Sequence, residues 1–187
     1  LDSIRLGVNV AHDKSFRPDF LIALWPGGVI AGLPVHEVYK YFHAKAGGRG
    51  KAPDHISVNT YPTRLSYRAQ ILGMHYLADR INKDDNLLII DTTFRAGRLV
   101  NAVVASLKEV LRRNLDLDRV RVASVYYNPD DHSTWTVRPD IRRPDYYLKT
   151  VRKEVVYPHA IHNLPNPHQD LQRLNPSLWQ ALYEESA

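Results

Sequence analysis

Residues 91–98, Asp-Thr-Thr-Phe-Arg-Ala-Gly-Arg, gather a carboxylate, two hydroxyls, two guanidinium groups and a glycine into one short stretch. They lie between an apolar run, Leu87-Leu88-Ile89-Ile90, and a helical stripe beginning at Val100. A loop leading from a buried strand into a helix aims its backbone N–H groups outward at the positive end of the helix dipole, which suits a phosphate. Gly97 lets the backbone approach a ligand closely, Thr92 and Thr93 offer hydroxyls, and Arg95 and Arg98 offer charge-assisted hydrogen bonds. Asp91, at the expected tip of the strand, suits ribose hydroxyls or a hydrated magnesium ion. The plainer alternative is an ordinary strand-to-helix turn in which Asp91 caps the helix and the arginines are solvated. The chain has no cysteine. Disulfides, zinc–thiolate sites and a cysteine nucleophile are therefore excluded, leaving carboxylates, histidines, hydroxyls, amides and cations.

The elements that must position this segment follow from apolar spacing. Leu87–Ile90 is apolar without alternation, the pattern of a central strand covered on both faces. Val100, Val103, Val104, Leu107, Val110 and Leu111 form one helical stripe, so a helix is predicted over 99–113 with Arg112 and Arg113 at its carboxyl end. Upstream, 20–25 reads as a strand, Pro26-Gly27-Gly28 as a tight turn, and the spacing of Ile30, Leu33, Val38 and Tyr41 as a helix. Strands are also predicted over 55–60 and 120–127, an exposed loop over 61–68, and helices over 69–81 and 171–183. Strands alternating with helices imply a doubly wound, mainly parallel α/β sheet, and 187 residues with 44% hydrophobic content suit one domain spanning 1–187. From Pro129 onward Tyr, Trp, Pro and His accumulate, which predicts a small irregular region at the sheet edge. Trp135 and Trp179 read there as packing residues.

The order of motifs resembles the type I phosphoribosyltransferases, in particular the hypoxanthine/xanthine–guanine branch of purine salvage. Asn86 to Arg98 resembles that family's signature for phosphoribosyl pyrophosphate (PRPP). Pro18-Asp19-Phe20 through Gly27-Gly28-Val29-Ile30 is similar to its first strand and pyrophosphate loop, and Ser66-Tyr67 to the pair carried by its mobile lid. Residues 122–129, 144–147 and 155–158 resemble its base-binding hood, placed at about 128–160. The resemblance implies transfer of phosphoribosyl from PRPP to a base, with release of pyrophosphate and with Mg2+ as cofactor. It implies PRPP contacts from Asp91, Thr92, Thr93, Arg95, Ala96, Gly97, Arg98 and Leu99, with Asp91 also meeting the metal. Trp25, Pro26, Gly27 and Gly28 would cradle pyrophosphate, and Arg64 and Arg68 would join Asp91 in catalysis. Ser66 and Tyr67 would close the lid, and Asn128, Val155, Val156 and Tyr157 would face the base. A homo-oligomer is implied as well.

The pattern departs from the family where the chemistry lies. Thr92 replaces a second acid, Arg95 the acid that accepts a proton near the base, Ala96 a threonine, Pro26 a frequent cation, Asn128 a purine-reading lysine and Glu154 a stacking aromatic. Two readings stay open: a transferase with a purine-like or atypical acceptor, and a non-catalytic relative that binds PRPP or a nucleotide as a regulator. The net charge of +5 suits an anionic ligand or partner. Nucleic acid is an alternative partner through Arg138, Arg142, Arg143, Lys149, Arg152 and Lys153, interleaved with Tyr146 and Tyr147. His159, His162 and His168 read as surface or capping histidines, because Pro158 and Pro165 oppose a metal-binding helix. No run reaches the length of a membrane helix and no secretory leader is seen, so a cytoplasmic protein without a membrane partner is expected.

Overall fold

The computed structural model describes residues 1–48, 52–60, 73–130, 140–153, 155, 157, 160, 161 and 164–183. They fall into two compact units, Leu1–Arg152 and Lys153–Ala187. The boundary lies inside the span expected for the hood.

The first unit is organised around the apolar run at Leu87. In chain order its elements are helix α1 (Asp2–His12), strand β1 (Phe20–Trp25), helix α2 (Gly27–Lys45), strand β2 (Asp54–Asn59) and the short helix α3 (His75–Ala78). Strand β3 (Leu87–Phe94), helix α4 (Arg98–Leu111), strand β4 (Val120–Tyr127) and strand β5 (Tyr146–Thr150) follow. The strands form one sheet in the order β2-β1-β3-β4-β5, with every neighbouring pair parallel. Leu87 and Ile89 join Val100, Val103 and Leu107 of α4 in one apolar layer. Leu88 and Ile90 join Leu6 of α1 and Ala31 and Val35 of α2 in the other. Adjacent residues of β3 are thus buried on opposite faces, and this is why its apolar run does not alternate.

Several elements differ from expectation for identifiable reasons. β3 continues through Phe94, four residues beyond its apolar run, because its polar end keeps pairing with β4: Asp91 stands opposite Ser124, Thr93 opposite Tyr126 and Phe94 opposite Tyr127. The buried Ser124 hydroxyl accepts the Phe94 N–H at 2.8 Å. α1, which buries Leu6, Gly7 and Val10, and β5, which pairs with β4, were not predicted. Of the helix expected over 69–81, only His75–Ala78 lies in a described helix.

In the second unit, the helix expected over 171–183 is two helices, α5 (Pro167–Leu174) and α6 (Pro176–Tyr183). Pro176 cannot donate into a preceding turn, and the Asn175 side chain accepts the Leu178 N–H at 3.2 Å to start the second helix. Trp179 packs against the rings of His168 and Tyr183, in keeping with a packing role.

Candidate functional site

The sheet order places a crevice at one definable point. From β1 the chain crosses toward β2, whereas from β3 it crosses the other way toward β4, so the connections leaving the carboxyl ends of β1 and β3 diverge. Ligands in open α/β sheets bind at such a switch point. The two loops singled out in the sequence, Trp25–Gly28 and 95–99, are the ones that flank it.

The loop after β3 is shorter than expected. Asp91, Thr92 and Thr93 belong to the strand, and only Arg95, Ala96 and Gly97 separate it from α4. Asp91 is therefore three residues inside the end of its strand rather than at its tip. Gly97 begins α4 in the left-handed conformation, with φ 69°, and a Cβ there would come within 2.5 Å of the Phe94 ring. Glycine is required on both counts. No side chain caps this helix and its first turn holds no acidic residue. The leading N–H groups have no partner within the helix, and the positive end of its dipole lies here.

A cleft of about 340 Å³ opens here, lined by Asp91, Thr93 and residues 94–100. Strand alternation sends Thr93 into it and Thr92 to the other side, where the Thr92 hydroxyl lies 2.6 Å from the position of a Cβ on Gly27. Asp91 is partly buried on the wall. Burial pushes its pKa from an ordinary 3.8 up to about 6, opposed by the Thr92 N–H that donates to its Oδ1. The cause is desolvation, with no cation paired to the carboxylate among the described residues. Arg95, Arg98 and Leu99 are exposed at the rim, and Arg98 has no ion pair among the described residues.

The loop after β1 is built against the same strand. The Trp25–Pro26 peptide is cis. α2 starts immediately after it, again without a side-chain cap or an acidic residue in its first turn. A Cβ on Gly28 would lie 2.3 Å from the Ile90 carbonyl oxygen, so only glycine lets the start of α2 meet β3. The buried Thr60 hydroxyl, at the end of β2, donates to the Trp25 carbonyl at 2.9 Å. Two helix N-termini without an acidic residue in their first turns thus follow the neighbouring strands β1 and β3 at the switch point.

The other expected site residues are distributed differently. Asn128 is buried, and its side-chain oxygen accepts the Asp130 N–H, which occupies it within its own turn. Val155 and Tyr157 belong to the second unit. Arg64, Ser66, Tyr67, Arg68, Trp135, Arg138, Glu154, Val156, His159 and His162 lie outside the described residues. No group of three or more metal-capable side chains occurs among the described residues, and no described helix is long and apolar enough to cross a membrane. Sequence reasoning missed Thr60, Asn101 and Ser124. Each acts through one hydrogen bond or a small set of them to a backbone distant in sequence, and no periodicity reports such a bond.

Sheet order and paired loops define the phosphoribosyltransferase-like α/β fold. A purine phosphoribosyltransferase from Pyrococcus horikoshii, solved by crystallography, is similar with a TM-score of 0.55 and 17% sequence identity, over 83% of this chain and 87% of that one. At that identity the likeness establishes the fold. No protein-family model matches the sequence, and no curated protein matches it.

Proposed function

We propose that the chain binds PRPP and transfers its phosphoribosyl group to a purine-like or atypical nitrogen acceptor. The acceptor nitrogen attacks C1, the bond from C1 to the pyrophosphate oxygen breaks, and pyrophosphate leaves with that electron pair. The observation that carries this reading is the pair of uncapped helix N-termini at one switch point, the start of α4 with Arg95 and Arg98 beside it and the start of α2 at Gly27. A ligand with phosphates at both ends of a ribose matches two such sites, because each phosphate satisfies N–H groups that have no partner within their own helix. The 5′-phosphate is assigned to residues 95–99 and the pyrophosphate to Trp25–Gly28.

Asp91 has the acceptor oxygens to hold ribose hydroxyls between the two. Mg2+ would be held jointly by Asp91 and ligand oxygens, since a single cleft carboxylate suits a magnesium ion that keeps waters and phosphate oxygens as its other ligands. Bound there, it would neutralise charge on the leaving pyrophosphate. Arg64 and Arg68, with the Ser66–Tyr67 pair, remain candidates for a lid over the reacting bond. A homo-oligomer and a cytoplasmic setting are part of the same reading.

A binding-only regulator is the second reading, favoured by Thr92. It stands where the family's second acid would be, and its side chain meets Gly27 instead of the cleft. Titration calorimetry with ribose 5-phosphate, then with PRPP and magnesium, tests binding. Heat and thermal stabilisation at millimolar ligand are expected, and their absence rejects both readings. Pyrophosphate release against a panel of bases separates the transferase from the regulator, with guanine and hypoxanthine expected to be poor acceptors.

A further inference from the structure

Beyond the loop itself, one side chain joins the cleft to a remote part of the sheet edge. Asn101 lies one turn into α4. Its side-chain NH2 donates to the Gly97 carbonyl at 2.8 Å and to the Ile141 carbonyl at 2.8 Å, and its side-chain oxygen accepts the Ile141 N–H at 2.9 Å. The backbone N–H of Asn101 donates to the same Gly97 carbonyl, also at 2.8 Å. Two donors and one acceptor matched to two carbonyls and one N–H leave the amide a single orientation. Gly97 is the left-handed residue on which the phosphate loop turns, and Ile141 lies in the connection from β4 to β5, just before the exposed Arg142 and Arg143.

From this geometry we infer that Asn101 is a positioning residue: it makes the conformation of the phosphate loop and the placement of Ile141 one coupled unit. The inference rests on the assignment of phosphate to residues 95–99. A helix interior has no need of asparagine at this position, since Asn forms helix less well than Ala or Leu and its amide competes with backbone hydrogen bonding. What the side chain adds is a tie from the Gly97 carbonyl to Ile141, which the backbone of α4 does not supply. Anion capture at the loop orders the Gly97 carbonyl, that order passes through one amide to Ile141, and by thermodynamic reciprocity an ordered Ile141 favours anion capture. The connection has a second tie, the 2.8 Å ion pair between Lys108 and Asp140, which reaches α4 two turns away and does not touch Gly97. It serves as an internal control.

The test compares the unsubstituted chain with Asn101→Ala, Asn101→Asp and Lys108→Ala. Ribose 5-phosphate affinity is measured by calorimetry, and amide exchange of Ile141 is followed by NMR with and without inorganic phosphate. In the unsubstituted chain phosphate should slow exchange at Ile141. Asn101→Ala should weaken ribose 5-phosphate binding about tenfold, within the range of coupling between two sites, and leave Ile141 exchange indifferent to phosphate. Asn101→Asp keeps the acceptor for the Ile141 N–H but sets a carboxylate against two carbonyls, and should lose affinity likewise; it answers the question if the alanine variant does not fold. Lys108→Ala should leave affinity and the response of Ile141 to phosphate unchanged. Retained affinity together with retained phosphate protection of Ile141 in an Asn101 variant would overturn the coupling while leaving the phosphate site intact. Failure of the unsubstituted chain to bind ribose 5-phosphate would overturn both.

Discussion

Asp91 carries a thermodynamic signature that can be read without a ligand. Its carboxyl titrates near 6 in the folded chain and near 3.8 when exposed. Between those values the folded state holds the extra proton, so stability falls as pH rises from about 4 to about 6 and stays reduced above that. A shift of this size, discounted for partial exposure, corresponds to about 1–3 kcal/mol. Asp91→Asn is therefore expected to stabilise the protein by about that amount at pH 7.5 and by little at pH 3.5, while weakening ribose phosphate binding. Urea unfolding at the two pH values checks it, and equal stability of both proteins at pH 7.5 would refute the cause assigned to the shift. The identity of this residue was legible from its position after an apolar run. Its place inside the strand was not, because that depends on Ser124 and on pairing to β4.

At the scale of elements, the site depends on how closely α2 approaches β3. Gly28 faces the Ile90 carbonyl oxygen, a backbone atom that cannot rotate away, with only 2.3 Å available for a Cβ. Gly32, one turn on, faces the Ala23 Cβ at 3.1 Å, a contact that a few tenths of an ångström would relieve. Gly28→Ala should then cost roughly 3 kcal/mol or more and shift the start of α2, whereas Gly32→Ala should cost about 1 kcal/mol or less. Chemical denaturation measures both, and equal costs would show that the start of α2 is not held against β3. The Gly-Gly pair was visible in the sequence as a turn. That it also serves the contact between the start of α2 and β3 could be seen only once β1 and β3 were known to be neighbours.

For the whole molecule, the basic character of the chain divides once its partners are known. Lys149 pairs with Asp2 and Arg152 with Asp130, each at 2.9 Å, so the cluster counted along 138–153 is smaller in space than in sequence. Arg142 and Arg143 remain without an ion pair among the described residues, and the phosphate loop adds Arg98. This balance favours a small anionic ligand over a nucleic-acid track. A single-stranded oligonucleotide should bind no tighter than about 1 µM at physiological salt, and neutralising Arg142 and Arg143 should change this little. Fluorescence anisotropy over a salt series tests it, and tight, salt-sensitive binding lost on neutralisation would support the regulator reading.

The linear order of residues by itself determined the class of fold, the central strand, helix α4 and the two glycine-bearing loops, because apolar periodicity and backbone chemistry are local properties. The tertiary structure alone decided that these loops share one switch point, that Thr92 and Thr93 part to opposite sides, and that Asn101 and Ser124 hold the loop's ends. Those facts arise from strand order and from hydrogen bonds between residues about 30 to 40 positions apart, which leave no periodic trace along the chain.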